Sequence, residues 1–318
     1  MRRKDDREWW LEHLKELIEV KYNDNTINVN EIINNTGVNS YEKEEAYHTI
    51  KKLVIYKYYI DIYTKIIKNH FPSFYYFDLF AGAGTVSTTI GNEQLNLFGS
   101  ALIAVLTPTN RFTKYIYVEK DKNNHASLNK LLRYIKDNYI KDLVYEVINA
   151  DMNQIDRYSQ LINECEHALV VIDPEGLEPE WSTIHKILTA KRVDMLMTFM
   201  TEGIQRVLGK AKNNQSDRDK LSIFLGKDID PNNTNIEKFE EEYIKQLMSI
   251  DYVAVRTIEA SSDRFSYDII IATKKTKGGN PWLKHLKTLR PRLDVSDQTI
   301  KSIVMQLLGK SSTLDNYK

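Results

Sequence analysis

The stretch Phe74-Tyr75-Tyr76-Phe77-Asp78-Leu79-Phe80-Ala81-Gly82-Ala83-Gly84 decides the fold class of this 318-residue chain. It begins as a nearly continuous apolar run, which is typical of a strand buried on both faces. The run then breaks into alternating alanine and glycine. Glycines at a strand end let the backbone turn sharply and approach a ligand closely. The stretch therefore predicts a buried parallel strand that ends in a ligand-binding turn.

Short apolar runs alternate with helical segments along most of the chain. The runs are 74–80, 115–118, 145–148, 168–172, 195–200, 252–258 and 267–272, and the helical segments between them are 100–106, 125–135, 154–162 and 181–188. This alternation predicts a parallel sheet covered by helices on both faces. The connection between the last two runs is too short for a parallel crossover, so these runs predict an antiparallel hairpin. The predicted fold is α/β, with a doubly wound, mostly parallel seven-stranded sheet that resembles the Rossmann-like sheet of class I methyltransferases.

The two ends of the chain predict helical additions to this sheet. We expect helices over 5–20 and 29–34, a long helix from the cap Ser40 to about residue 69, and a last helix capped by Ser296. Polar segments 210–219 and 227–235 are predicted surface loops. The division is an N-terminal helical extension (1–70), a methyltransferase-like α/β domain (71–276) and a basic C-terminal helical tail (277–318). The extension could be a small winged-helix-like module or a lid, and the last helix could dock on the core or on a second subunit.

Composition narrows the classes of function. Lys plus Arg and Asp plus Glu both number 44, so any binding to nucleic acid must use a local patch and not bulk charge. The single cysteine, Cys165, excludes an intramolecular disulfide framework and a cysteine-based zinc site, and no other metal-ligand spacing occurs. No run approaches the roughly 18 apolar residues of a membrane-spanning helix. We expect a cytoplasmic protein that binds no membrane.

Carboxylates follow the next strands in series. Glu119, Asp151 and Asp173 come directly after, or within three residues of, three predicted strands, and Asp78 lies in the first. Because parallel strands end at one edge of a sheet, these acids should lie along one rim. Each has an ordinary alternative: a solvated strand end for Glu119, a helix cap for Asp151, and a turn before proline for Asp173. Together they favour a site for an adenosyl cofactor, with acids for the ribose, the adenine amine and an ammonium group.

Several motifs are similar to those of one family. Residues 78–84 (DLFAGAG), 99–104 (GSALIA), 118–121 (VEKD) and 172–176 (IDPEG) resemble the three-Cys-motif partner family, a group of class I methyltransferase-like proteins. The likeness continues at 204–208, 224–226 and 267–274, includes the segment 48–53, and spans about 48–288. It implies S-adenosylmethionine binding, methyl transfer to a poorly defined acceptor, and a protein partner with three cysteines that is similar to radical enzymes.

The resemblance also assigns the cofactor residues. Asp78, Gly82 and Gly84 would hold the methionine end, Glu119 the ribose and Asp151 the adenine. We also expect Phe80 to be a cofactor-binding residue. It or Trp181 could provide an aromatic face, although a core position is the alternative for both.

The segment Asp173-Pro174-Glu175-Gly176 occupies the place of an Asp-Pro-Pro-Tyr motif in amino-methyltransferases that act on nucleic acid. By that comparison Asp173 and the Pro174 carbonyl would accept hydrogen bonds from the acceptor amine. Glycine replaces the aromatic fourth residue, which puts base stacking by this motif in doubt. Glu175 could act as a general base toward a hydroxyl or thiol, or be a solvated turn residue. Methylation of the cytosine ring is excluded because the chain lacks the Pro-Cys nucleophile.

Two basic features are candidate substrate contacts. Arg206, after the fifth parallel strand, could bind a phosphate or carboxylate, or form a structural ion pair. The segment 274–292 contains seven basic residues and no acid, with Lys284, Lys287 and Arg290 as candidate nucleic-acid contacts and an ordinary solvated face as the alternative. The sequence therefore predicts an S-adenosylmethionine-dependent methyltransferase that acts on a nucleic-acid amine. The alternatives are a protein or small-molecule methyltransferase and a non-catalytic cofactor-binding partner of another protein.

Overall fold

A computed structural model describes residues 5–44, 47–190, 192–262, 265–277, 279–280, 283, 290–293 and 295–310. The N-terminal elements are α1 (Asp6–Glu16), β1 (Glu19–Tyr22), β2 (Asn25–Asn28), α2 (Val29–Thr36), β3 (Tyr41–Glu44) and α3 (Tyr47–Ile67). The central elements are β4 (Phe74–Asp78), β5 (Thr85–Ile90), β6 (Glu93–Phe98), α4 (Ser100–Leu106), β7 (Lys114–Glu119), α5 (Lys122–Asn138), β8 (Tyr145–Asn149), a 3-10 turn (Ile155–Arg157), α6 (Ser159–Glu164), β9 (His167–Ile172), α7 (Trp181–Thr189) and β10 (Val193–Phe199). The remaining elements are α8 (Thr201–Ala211), α9 (Gln215–Leu225), α10 (Ile236–Ser249), β11 (Tyr252–Ser262), β12 (Phe265–Lys274), α11 (Arg290–Leu293) and α12 (Asp297–Leu307).

The main sheet has seven strands in the order β11-β12-β10-β9-β4-β7-β8. Strands β4, β7, β8, β9 and β10 are parallel, and β12 pairs antiparallel with both β10 and β11. The doubly wound fold and its terminal hairpin are therefore confirmed. The carboxyl ends of the five parallel strands meet at one edge of this sheet, called the carboxyl edge below. That edge is where open α/β sheets bind ligands.

A second, three-stranded sheet follows the glycine turn. Residues between Gly84 and Ser100 form the hairpin β5–β6, and β5 also pairs with β3. The Gly99 N–H donates to the Gly84 carbonyl at 2.8 Å. A Cβ on Gly99 would lie 2.9 Å from that oxygen, so only glycine allows the hairpin to close this tightly. Helix α4 then begins at Ser100, as predicted.

The N-terminal segment contains helices, as expected, and also strands that the sequence analysis did not predict. The first helix ends at Glu16, and residues 19–28 form the β1–β2 hairpin. The prediction that Ser40 caps the long helix was wrong. Ser40 lies 2.9 Å from the Thr85 hydroxyl, the chain continues as β3, and α3 begins at Tyr47. This pairing joins segments distant in sequence, so local pattern does not reveal it.

Two predictions nearer the C-terminus have opposite outcomes. The loop expected over 210–219 was wrong in its second half, because Asn214 caps α9 by accepting from the Ser216 N–H at 2.9 Å. Ser296 does cap the last helix, α12, by accepting from the Thr299 N–H. Helix α12 buries Ile300 against the chain's own core.

Helix α3 crosses one face of the main sheet and positions part of the site. Near its first turns, the Tyr267 hydroxyl of β12 donates to the His48 carbonyl, 2.5 Å away. About two turns further, the Tyr56 hydroxyl lies 2.5 Å from the Thr198 hydroxyl of β10. Its later residue Tyr63 lies 2.7 Å from His167 Nδ1, at the start of β9. Helix α3 therefore begins near the carboxyl edge and ends near the opposite edge.

Candidate cofactor site

The glycine turn after β4 opens onto the carboxyl edge. Gly82 has a φ of +61°, in the left-handed region that favours glycine, and a Cβ built on it meets no atom within 4 Å. Gly84 has a φ of +91°, and its Cβ would lie 3.0 Å from Leu128 and Leu131 of α5. Gly82 thus borders open space, whereas Gly84 lets α5 pack closely. A direct contact of Gly84 with a cofactor stays a prediction.

Glu119 holds this turn in place. One of its carboxylate oxygens accepts from the Gly82 N–H at 2.8 Å, and the other accepts from the Asp121 N–H at 2.7 Å. An ionised carboxylate offers about four acceptor positions, so each oxygen can still accept a further hydrogen bond. The structure therefore brings together Gly82 and Glu119, two of the residues predicted from the sequence.

Asp78 precedes the turn and is fully buried. Its carboxylate accepts from the Phe80 N–H and from the Tyr76 hydroxyl, each at 3.2 Å. Its pKa is raised to about 7, mainly by burial and also by the negative charge of Asp173, while hydrogen bonds from Ser100, Phe80 and Tyr76 act in the opposite direction. Asp78 therefore changes charge close to neutral pH.

Asp151 takes part in local turn interactions. Its Oδ2 pairs with Lys120 Nζ at 2.9 Å, and its Oδ1 accepts from the Asn153 N–H at 2.9 Å. Partial burial acts to raise the pKa of Asp151, but Lys120 and the Asn153 N–H outweigh it, and the pKa lies below its ordinary value. Asp151 does not cap a helix, because the next helical segment begins at Ile155 with Gln154 as its cap, so its contacts stabilise a turn. Contact with an adenine stays a prediction.

Asp173 has a partner that the sequence analysis missed. Lys52 of α3 donates to its two oxygens at 2.9 and 2.6 Å, and the two side chains are only 12% and 16% exposed. Burial and the Asp173 charge both raise the pKa values of Tyr56 and Tyr267, which lie on either side. The one available signal was the pair Lys51-Lys52 within an otherwise apolar helical pattern, inside the segment that resembles the three-Cys-motif partner family.

The residues after Asp173 form a tight turn. Pro174 is buried, Glu175 is exposed, and the Gly176 N–H donates to Glu178 Oε2 at 2.8 Å. Trp181 belongs to the core, since a Cβ on Gly226 would lie 2.1 Å from its indole ring.

Phe80 is partly buried and packs against the second hydrophobic cluster of the protein, which lies on the other face of the sheet. Its position at the end of β4 still places it beside the glycine turn. A contact between Phe80 and a cofactor stays a prediction.

The basic candidates do not gather in one place. Arg206 is exposed on α8, which follows β10 at the carboxyl edge, and it forms no ion pair with the residues that the structure describes. Lys274 ends β12, which runs antiparallel to β10, so Lys274, Lys275 and Lys277 lie at the opposite edge of the sheet from Asp173.

Two surface clefts lie at that opposite edge and share Lys274. Lys284, Lys287 and the side chain of Arg290 lie outside the described residues. Arg292 has a structural role, because its guanidinium lies 5.5 Å from the Trp9 ring centre and 4.0 Å from Asp6.

Two further features of the described part of the chain concern metal binding and membrane crossing. There, no group of three or more His, Cys, Asp or Glu side chains is arranged to hold a metal ion. Within the same ranges, no helix combines the length and the apolar character needed to cross a membrane.

Comparisons with known proteins give matches among solved structures alone. No family model matches the sequence, and no curated protein matches it. The O-methyltransferase from Bacillus cereus in complex with SAH is 10% identical with a TM-score of 0.45, and the match covers 85% of this chain and 100% of that one. The magnesium protoporphyrin IX methyltransferase (ChlM) from Synechocystis PCC 6803 with bound SAH is 11% identical with a TM-score of 0.41, over 85% of this chain and 100% of that one.

A third match is the small RNA methyltransferase HEN1, 10% identical with a TM-score of 0.42. It covers 69% of this chain, which spans only 25% of that one. The resemblance to the three-Cys-motif partner family stays a prediction. We therefore base the function on the residues of the site.

Proposed function

We propose that the protein is an S-adenosylmethionine-dependent methyltransferase whose acceptor is an amine, with nucleic acid as the first candidate substrate. One observation carries the proposal: the open, left-handed turn at Gly82 is bonded to Glu119 and follows the buried carboxyl of Asp78, which accepts from the Phe80 N–H at the start of the turn. A bare backbone turn between two acids suits a ligand that bears hydroxyl groups and a positive charge.

The residues present fit such a cofactor. Glu119 keeps acceptor positions for ribose hydroxyls after bonding Gly82 and Asp121. Asp78, when ionised, would pair with the ammonium group of the methionine moiety. Gly82 has no side chain, so the space beside the turn stays open for the cofactor. S-adenosylmethionine, when bound, supplies an electrophilic methyl group on its sulfonium sulfur.

Asp173 would orient the acceptor at the same edge. Lys52 donates to both Asp173 oxygens and holds the carboxylate at this edge, where an amine N–H of the acceptor would bond to it. The Pro174 carbonyl would accept a second N–H, and the nitrogen lone pair would then point toward the methyl carbon. Methyl transfer is an in-line displacement, so these residues act mainly by positioning the acceptor and limiting access of water.

The nucleic-acid assignment has limited support. The Asp-Pro pair and the exposed Arg206 at the carboxyl edge suit an amine on a phosphate-bearing substrate. Gly176 offers no ring for a base to stack on, and Lys274–Lys277 lie at the opposite edge. A protein or small-molecule acceptor is the alternative that an acceptor screen would reveal.

Calorimetry with S-adenosylmethionine tests the first premise. We expect binding by the wild type and a loss of at least about tenfold, or about 1.4 kcal/mol, in Asp78→Ala and in Glu119→Ala. If the wild type does not bind, or both variants bind as the wild type does, the proposed cofactor site is wrong.

Transfer of a radiolabelled methyl group to DNA, RNA or cell extract tests the reaction and its acceptor. Arg206→Ala should weaken transfer to nucleic acid, mainly by raising KM. Lys210→Ala, which removes another exposed cation from the same helix, is the matched control. Cofactor binding without transfer to any acceptor would favour a non-catalytic partner protein.

A further inference from the structure

The ion pair between Lys52 and Asp173 links the N-terminal helix α3 to the end of β9. Helix α3 is fixed to the sheet on both sides of Lys52. Before Lys52, the Tyr267 hydroxyl bonds the His48 carbonyl, and after it, the Tyr56 hydroxyl contacts the Thr198 hydroxyl. The ammonium therefore lies on Asp173 as part of the fold. Little of this pair is exposed to water, so its charges act strongly on their neighbours.

Asp173 acts electrostatically on a second buried acid, Asp78. Strands β4 and β9 are paired, with Asp78 opposite Val171, and this register places Asp173 just beyond the end of the pairing. The charge of Asp173 acts on Asp78 and opposes its ionisation. Two interacting carboxylates in a buried region do not both ionise easily unless a cation compensates one of them.

We propose that Lys52 is a positioning residue that couples the acceptor side of the site to the cofactor side. Its ammonium neutralises Asp173, so that Asp78 can ionise and hold the ammonium of a cationic cofactor. The part about the cofactor rests on the proposed function, whereas the charge coupling between Lys52, Asp173 and Asp78 does not.

Among the residues that the structure describes, the other groups that act on Asp78 do not provide this compensation. Tyr76 of β4, Tyr56 of α3 and Tyr117 of β7 are buried phenols whose pKa values burial raises well above the ordinary value, so they stay neutral. Ser100 of α4 donates a hydrogen bond and carries no charge. Lys52 thus acts on Asp78 through Asp173.

Nuclear magnetic resonance of the Asp78 carboxyl carbon, followed between about pH 5.5 and 8.5, tests the coupling without any cofactor. In Lys52→Met we expect the pKa of Asp78 to rise by about one unit, because the more exposed Asp173 keeps its charge and the fully buried Asp78 takes the proton. Lys52→Arg should titrate like the wild type. Asp173→Asn should shift the Asp78 titration in the opposite direction, and the double variant Lys52→Met/Asp173→Asn should return it close to the wild type.

Calorimetry with S-adenosylmethionine measures how the charge coupling affects cofactor binding. A rise of one unit from about 7 lowers the ionised fraction of Asp78 at pH 7 about fivefold, so the affinity of Lys52→Met should fall about fivefold at pH 7 and recover at higher pH. Lys65→Met, which removes an exposed i,i+4 pair with Asp61 on the same helix, is the control and should change neither measurement.

An unchanged Asp78 titration in Lys52→Met would overturn the inference, and so would a Lys52→Arg variant that behaves like Lys52→Met, since that would indicate a purely structural role. A wild type that fails to bind S-adenosylmethionine would overturn the proposed function instead. In that case the resonance measurement would still decide whether the charge coupling exists.

Discussion

Replacing Gly82 by alanine separates backbone strain from ligand contact. Gly82 and Gly37 have nearly the same φ, +61° and +60°, and a Cβ at either position meets no atom within 4 Å. A left-handed conformation costs an L-residue about 1–2 kcal/mol, so Gly82→Ala and Gly37→Ala should destabilise the protein by similar amounts. Gly37 ends α2 and is not one of the proposed cofactor residues, so it is a matched control for backbone strain.

The two variants should differ in cofactor binding. The Cβ of Gly82→Ala would enter the space beside the turn that the proposed cofactor uses, so we expect its affinity for S-adenosylmethionine to fall at least about tenfold, or about 1.4 kcal/mol. Gly37→Ala should bind like the wild type. Urea unfolding gives the stability of each variant and calorimetry gives the affinity. Wild-type affinity in Gly82→Ala, or an equal loss in Gly37→Ala, would refute the assignment of the turn to the cofactor.

Three further substitutions test separate parts of the structure. Glu119→Gln places an amide donor against the Gly82 or Asp121 N–H, and it should cost about 1–3 kcal/mol of stability by urea unfolding and weaken S-adenosylmethionine binding by calorimetry; unchanged values would contradict the bridging role. Asp173→Asn should slow radiolabelled methyl transfer about 100-fold without weakening cofactor binding at pH 7, and wild-type transfer would exclude an orienting role. Asp194 is buried with its pKa raised by burial to about 7, above the unfolded value, so its stabilising contribution is present at low pH and is lost as pH rises through about 7. Relative to the wild type, Asp194→Asn should therefore gain on the order of 2 kcal/mol between about pH 5 and 8 in urea unfolding, and a parallel pH dependence of the two proteins would contradict the burial of a protonated acid.

Much of the fold follows from local sequence pattern. Apolar runs that alternate with helical segments predict the parallel strands and their connections, and the short link between β11 and β12 predicts the hairpin. The same pattern predicts the carboxyl edge and places Asp78, Glu119 and Asp173 along it. Local pattern suffices here because a parallel sheet brings its strand ends together whatever side chains lie between them.

Two of the errors arose in segments that take part in a pairing between distant parts of the chain. Ser40 has the composition of a helix cap, yet the chain beyond it pairs with β5, which follows it by some forty residues in the sequence. The polar stretch after the glycine turn likewise forms strands β5 and β6, because it pairs with itself and with β3. Such pairings depend on which backbone edges meet in three dimensions, and a window of sequence carries little information about that.

The sequence by itself determined the class of sheet, and it predicted the edge, the acids and the glycine turn of the proposed site. Only the tertiary structure decided how those residues act on one another: that Glu119 bonds Gly82, that Asp151 is used in its own turn, and that Lys52 lies on Asp173 although 121 positions separate them. The physical reason is that strand ends are set by short-range patterns, whereas the charge and protonation of a buried acid depend on every group that the whole chain packs around it.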